Sequence, residues 1–247
     1  MNKLMKSVLM IIGVVLGLLV LAGVAYILVF QSETNKMTPL ESQEIIEDVY
    51  VIQDSFVNMF LIKRDNHYIA FDAGNDADHI RQELDKLNIK EEEVAAVFLT
   101  HTDADHTAAL SLFGNATIYI SKAEEQMIDG RTPRFLFVHN TFEYEPELVE
   151  DGQIIDVSGL NVQGILTPGH TPGATVYLVD DKYLFVGDSM SLQDGKVDLF
   201  NDFFNMDSET QRASLKKLAD LSGVEYIFTA HYGVTDDYAK AFSGWAE

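Results

Sequence analysis

Hydrophobic and polar positions along the chain change texture three times. From Ser7 to Phe30 no residue is charged, and most are Val, Leu, Ile, Gly or Met. Those 24 positions would make a helix of about 36 Å, longer than the roughly 30 Å of a hydrocarbon core. The run has no polar face, which argues against a helix in a soluble core. Gln31 to Glu44 is polar, contains Pro39 and reads as a tether. From Val49 onward short apolar runs alternate with turn residues. Val49–Ile52, Asn58–Lys63 and His67–Asp72 read as strands with a hairpin turn near Asp65-Asn66. Ile80, Leu84 and Leu87 fall at helical spacing within Asp76–Leu87, with Asp76 or Asp78 placed to cap that helix. Val94–Leu99 is a continuous apolar run suited to a buried strand. Thr107–Phe113 reads as a helix, Ala116–Ile120 as a strand, and a helix follows from Lys122, whereas residues 130–150 look irregular and aromatic. Strands are expected at Gln153–Val157, Asn161–Leu166, Thr175–Val179, Tyr183–Val186 and Tyr226–Thr229. Helices are expected at Ser208–Leu221 and Asp236–Phe242. Hairpins first, then strands mixed with helices, predict two sheets covered by helices.

Charge narrows the partners. The chain carries 17 Lys and Arg against 39 Asp and Glu. Only Lys3 and Lys6 precede residue 31, so the remainder holds 15 basic and 39 acidic residues, a net of -24. Nucleic acid is an unsuitable partner for such a surface, because phosphate binding needs a basic stripe. Arg212, Lys216 and Lys217 read as one solvated helix face. Without cysteine there is no disulfide framework, thiolate metal site or cysteine nucleophile. Lys3 and Lys6 precede the apolar run, while Glu33 and Lys36 cancel behind it. The positive-inside bias then puts the N-terminus in the cytoplasm and the larger part outside. A cleaved signal peptide is the competing reading, but its apolar core would run only about 7–15 residues.

Candidate chemistry sits in turns after the expected strands. The clusters are Thr100-His101-Thr102-Asp103-Ala104-Asp105-His106, Pro168-Gly169-His170-Thr171-Pro172-Gly173, Gly187-Asp188-Ser189 and Ala230-His231-Tyr232. Imidazole and carboxylate without thiolate suit zinc, iron or manganese. Taken singly, Asp105 is a plausible helix cap and His170 a plain turn residue. Together they form a donor set at the ends of strands, where α/β proteins place their sites. His67, His79 and His139 fall outside the pattern. No Gly-x-Ser-x-Gly elbow, Walker loop or dinucleotide fingerprint is found.

In these residues the chain resembles the metallo-β-lactamase superfamily, whose pattern is His-x-His-x-Asp-His followed by a distant His, Asp and His. His101, Asp105, His106, His170, Asp188 and His231 match it, and Phe71-Asp72-Ala73-Gly74 is similar to the family's Asp-Thr-Gly strand end. Asp103 stands where the family has histidine. The resemblance implies an α/β fold, the four-layer αβ/βα metallo-β-lactamase sandwich, here preceded by one transmembrane helix. With the apolar run and the tether read above, the expected division is a cytoplasmic N-terminus and anchor (1–30), a linker (31–46) and a catalytic domain (47–247). It also implies two divalent ions, one on His101, position 103 and His170, the other on Asp105, His106 and His231, with Asp188 shared. Asp105 would orient the attacking hydroxide. The reaction expected is hydrolysis of an ester, lactone, thioester, amide or phosphodiester in a small molecule.

Zinc is the ion the family implies, whereas the extra carboxylate of Asp103 favours iron or manganese. That carboxylate keeps a redox alternative open, a diiron oxidoreductase with a separate electron donor, since flavodiiron proteins carry Glu at the same motif position. A non-catalytic surface binding module is the third reading. Arg131 and Arg134, among aromatics in the irregular stretch, are candidate clamps for an anionic substrate, and Tyr232 a candidate hydroxyl donor. Asp72 is either a support for the ligands or a turn residue.

Overall fold

A computed structural model describes residues 3–245. Residues 1–2 and 246–247, the outer ends of the expected anchor and catalytic segments, lie outside the described residues. The chain divides into two units, one ending at Met37 and the other beginning at Thr38. The first is dominated by α1 (Lys3–Thr34), in which no described residue is buried. It is the one helix among the described residues that is long and apolar enough to cross a membrane. The helix continues past the uncharged run, and the Thr34 hydroxyl closes its last turn on the Phe30 and Gln31 carbonyls (3.1 and 3.2 Å).

The second unit begins with a seven-stranded sheet in chain order. Its strands are β1 (Gln43–Ile46), β2 (Val49–Asp54), β3 (Val57–Arg64), β4 (His67–Phe71), β5 (Val94–Leu99), β6 (Thr117–Ser121) and β7 (Glu147–Val149). β1 to β4 form an antiparallel meander, whose turns place Asp48, Ser55 and Asp65 at positive φ. From β4 the pairing is parallel. The connections hold α2 (Ala77–Lys86), α3 (Ala104–Thr107) and α4 (Glu125–Ile128). Next come β8 (Ile154–Val157), β9 (Leu160–Leu166), β10 (Thr175–Val179) and β11 (Tyr183–Gly187). A small hairpin, β12 (Ser191–Gln193) and β13 (Lys196–Asp198), precedes α5 (Ser208–Ala219). β14 (Tyr226–Thr229), β15 (Val234–Thr235) and α6 (Tyr238–Ala241) end the chain. The second sheet runs β15-β14-β11-β10-β9-β8, with β11 and β14 parallel.

Alternating side chains explain the layering. On β3, Phe60 and Ile62 face the second sheet, where they join Phe71, Phe98, Tyr177, Phe185 and Phe228 in a core between the sheets. Met59 and Leu61, one position along, face outward and pack with Ile80 and Leu84 of α2. On β10, Tyr177 and Val179 face the inner core, whereas Val176 and Leu178 pack with Leu215 and Leu218 of α5. The result is the four-layer αβ/βα sandwich.

Three local expectations change. The linker expected over residues 31–46 is shorter, because α1 runs on to Thr34 and Gln43–Ile46 pairs with β2 as β1. The helix expected over Thr107–Phe113 is instead the single turn α3 followed by a 3-10 turn at Leu110–Leu112. The His106 carbonyl, which a continuing helix would use, accepts instead from the Ala73 N–H (2.8 Å). The irregular stretch 130–150 also contains β7, an edge strand too short to leave a period in the sequence.

Candidate metal centre

Strand direction gathers the functional loops at one end of the two sheets. His101 to His106 follow β5, His170 lies between β9 and β10, Asp188 follows β11 and His231 follows β14. Hydrogen bonds lock these loops together. Thr175 N–H donates to Thr100 O (3.0 Å), Asn58 N–H to Ala230 O (2.7 Å) and Thr38 N–H to His231 O (2.8 Å). The buried Tyr177 hydroxyl donates to Leu99 O at 2.9 Å. Close approach requires glycine at Gly169, Gly173 and Gly187. A Cβ on Gly173 would meet the Glu124 backbone N at 2.1 Å, and one on Gly187 (φ 50°) the Thr100 hydroxyl at 2.3 Å.

The seven expected donors converge. Asp188 lies at the centre: Oδ1 faces Nε2 of His231 (3.1 Å) and His106 (3.3 Å), and Oδ2 faces Nε2 of His170 (3.3 Å) and His101 (3.9 Å). Asp105 Oδ2 stands 3.5 Å from His231 Nε2 and 3.6 Å from His106 Nε2. His101 and His170 Nε2 lie 3.6 and 3.1 Å from Asp103 Oδ2. A tetrahedron with bonds of about 2.0–2.2 Å has edges of about 3.3–3.6 Å, so these spacings suit ligands around an ion.

Each imidazole is oriented by an oxygen on its other nitrogen, leaving Nε2 to point inward. His106 Nδ1 lies 2.8 Å from Asp72 Oδ2, and His231 Nδ1 2.7 Å from Phe56 O. His101 Nδ1 lies 3.0 Å from the Thr100 hydroxyl, and His170 Nδ1 3.2 Å from Asn205 Oδ1. A carbonyl can only accept, so His231 carries a proton on Nδ1, and Nε2 is the nitrogen turned toward the centre. Among the described residues, four buried polar side-chain atoms lack any hydrogen-bond partner: His101 Nε2, His106 Nε2, His231 Nε2 and Asp188 Oδ1. Unpaired polar atoms are costly to bury, and four of them gathered at Asp188 fit cation binding. Electrostatics agree. Burial pushes the Asp188 carboxyl up, but His231, His106 and His170 outweigh it and hold the group well below the usual carboxylate range. Burial lowers His106, yet Asp72, Asp188 and Asp105 carry it well above its ordinary value.

Asp72 is a support rather than a plain turn residue. Its backbone sits at φ 61°, a conformation costly outside glycine and common at functional sites. From there its carboxylate takes the Thr100 N–H (2.8 Å) and hydroxyl as well as His106 Nδ1.

The three substrate-contact candidates separate. Arg131 is not brought to the centre, because Asp129 holds its Nε at 2.6 Å and its side chain stays 64% exposed. Tyr232 is half-buried with its ring edge-on to Phe200 at 6.0 Å, beside the centre. Arg134 enters the centre itself. Its Nε lies 2.7 and 2.9 Å from the two Asp103 oxygens, and its Nη2 donates to Phe204 O (2.5 Å). Asp103 is therefore ion-paired, and its charge cannot be assigned wholly to a metal. Burial raises its carboxyl, but His101 and His170 bring it well below the usual range.

Other contributors escape sequence reading. Buried Glu124 accepts from the Thr102 N–H and hydroxyl, the Thr171 hydroxyl and the Gly173 N–H, tying the His101 loop to the His170 loop. Asn140 donates to Asp103 Oδ1 (2.9 Å) and Thr102 Oγ1 (2.9 Å). Neither carries a motif, and no spacing in one sequence marks them. A cavity of about 460 Å³ adjoins the centre, with Thr102, Ala104, Val138, Asn140, Phe142 and Tyr144 in its wall.

Comparison with known proteins agrees with this geometry. The profile of the metallo-beta-lactamase superfamily matches residues 52–231. A probable polyketide biosynthesis zinc-dependent hydrolase of Bacillus velezensis is 32% identical over 125 residues, 49% of each chain. A hydroxyacylglutathione hydrolase of Aeromonas hydrophila is 28% identical over 188 residues, 74% of this chain and 63% of that one. The chain thus spans about half to less than two thirds of the length of these relatives. A metallo-beta-lactamase of Cronobacter sakazakii, a mutant in its HARLDQ motif, superposes with a TM-score of 0.62 at 25% identity. That match covers 78% of this chain and 81% of that one. With the profile running from within β2 through His231 and so over every donor loop, the chain belongs to the metallo-beta-lactamase superfamily.

Proposed function

We propose that the chain is a membrane-anchored, metal-dependent hydrolase that adds water to an electrophilic carbonyl or phosphoryl centre of a small molecule. The observation that carries this reading is the set of four orphaned, buried donor atoms meeting at Asp188. His101, Asp103, Asp105, His106, His170, Asp188 and His231 are the residues available to hold metal, and zinc is the first ion to test, by analogy with the zinc-dependent relatives. Bound there, a divalent ion supplies Lewis acidity and lowers the pKa of water. The chain's own groups do the rest. Asp72, Thr100, Phe56 and Asn205 fix the imidazole rings, so no reorganisation is needed during reaction. Asp105, whose side chain is 21% exposed, would accept a proton from water entering from the solvent side. The adjoining cavity is the site for the rest of the substrate, and Tyr232 borders the centre. The alternative redox reading rested on Asp103, which pairs with Arg134 and so offers it less support.

The substrate class follows only as far as the relatives reach. Those named hydroxyacylglutathione hydrolases put acyl derivatives first. The full chain in detergent is to be given a panel of thioesters, esters, lactones, amides and phosphodiesters. Turnover should disappear with a chelator, return with zinc or manganese, and be absent in Asp188→Ala. Turnover indifferent to chelation would overturn the reading.

A further inference from the structure

The donors do not form two equal halves. On one side, His106 Nε2, His231 Nε2 and Asp188 Oδ1 are buried and without hydrogen-bond partners, and Asp105 Oδ2 completes the group. On the other side, both Asp103 oxygens are already engaged. Oδ1 accepts from Arg134 Nε (2.7 Å) and Asn140 Nδ2 (2.9 Å), while Oδ2 takes Arg134 Nε (2.9 Å) and faces His170 Nε2 (3.1 Å). His170 Nε2 is also engaged, 3.3 Å from Arg134 Nη2. Among His101, Asp103 and His170, His101 Nε2 is the one facing atom without a hydrogen-bond partner, and a single imidazole does not hold an ion.

The arginine is not a passing surface charge. Its side chain is 17% exposed, and the Phe204 carbonyl anchors it from a separate loop. A guanidinium stays protonated at any working pH, so the cation is permanent. A divalent ion seated between His101, Asp103 and His170 would have to displace it or bear its repulsion.

We infer that the Arg134 guanidinium, clamped on Asp103 and His170, takes the place of one metal, so that this chain holds a single divalent ion between Asp105, His106, Asp188 and His231. Arg134 then supplies fixed positive charge where the family resemblance implies a second ion. This deepens the hydrolase reading and rests on it.

The test is a metal count on the full chain in detergent, stripped with a chelator, reloaded with zinc alone and analysed by elemental mass spectrometry. One zinc per chain is expected for the wild type. Arg134→Met, which frees Asp103 and His170, should raise the count to two. Asp103→Asn should keep one zinc with an affinity changed less than about tenfold, because Asp103 holds the arginine and not the ion. Circular dichroism checks that each variant is folded. Two zincs in the wild type, or loss of the zinc in Asp103→Asn, would overturn the inference while leaving the hydrolase reading intact. No zinc at all would overturn the hydrolase reading itself.

Discussion

Asp72 touches three groups from a strained backbone, and its carboxylate can be separated from its conformation by experiment. Asparagine also tolerates the left-handed region, so Asp72→Asn keeps the turn and removes only the anionic partner of His106. Zinc affinity should fall about 10–100-fold, as is typical when a group supporting a metal-bound histidine is lost. Competition against a chromophoric chelator measures it, and an unchanged affinity would reduce Asp72 to a turn residue. At this scale the sequence was an uneven guide. His101, Asp105, His106, His170, Asp188 and His231 could be read because their spacing is local to four loops. The acceptor role of Glu124 could not, since all four of its donors come from loops brought near it by folding.

Helix ends matter more than helix length around this centre. Asp76 caps α2 by accepting from the Asp78 and His79 N–H groups, as the sequence suggested. Asp207 caps α5, and its own N–H donates to Gly169 O beside His170. Its carboxyl is held below the ordinary 3.8, first by the Thr210 N–H and then by the Thr210 hydroxyl. A depressed carboxylate stabilises the fold above its unfolded value and loses that contribution as the pH falls through the depressed one. Asp207→Ala should therefore melt below the wild type at neutral pH, and the gap should close as the pH drops below 3.8. Thermal melts followed by circular dichroism across that range measure it; a gap independent of pH would mean that the carboxylate does not act as the cap. Elements with a clear period, such as β3, β10 and α5, were legible in advance. α3 and β7 were not, because a single turn and a three-residue edge strand have no period to read.

The whole chain joins an apolar helix to an acidic domain. We propose that α1 anchors it in a membrane with Lys3 and Lys6 in the cytoplasm and the catalytic unit outside. Protease added to intact cells expressing the chain should digest the unit beginning at Thr38, and the chain should stay in the membrane fraction after a high-salt wash. Protection of that unit until the cells are lysed would reverse the topology. By itself the sequence determined the apolar run, the layered alternation of the strands and the order of the metal-competent residues, because each depends on neighbours along the chain. Tertiary structure alone decided which charges meet. Arg131 and Arg134 are close in sequence, yet one turns to Asp129 and the other reaches Asp103, 31 positions away. That choice depends on how residues 130–150 close over the ends of the strands, where buried carboxylates without cationic partners bear the full cost of their desolvation.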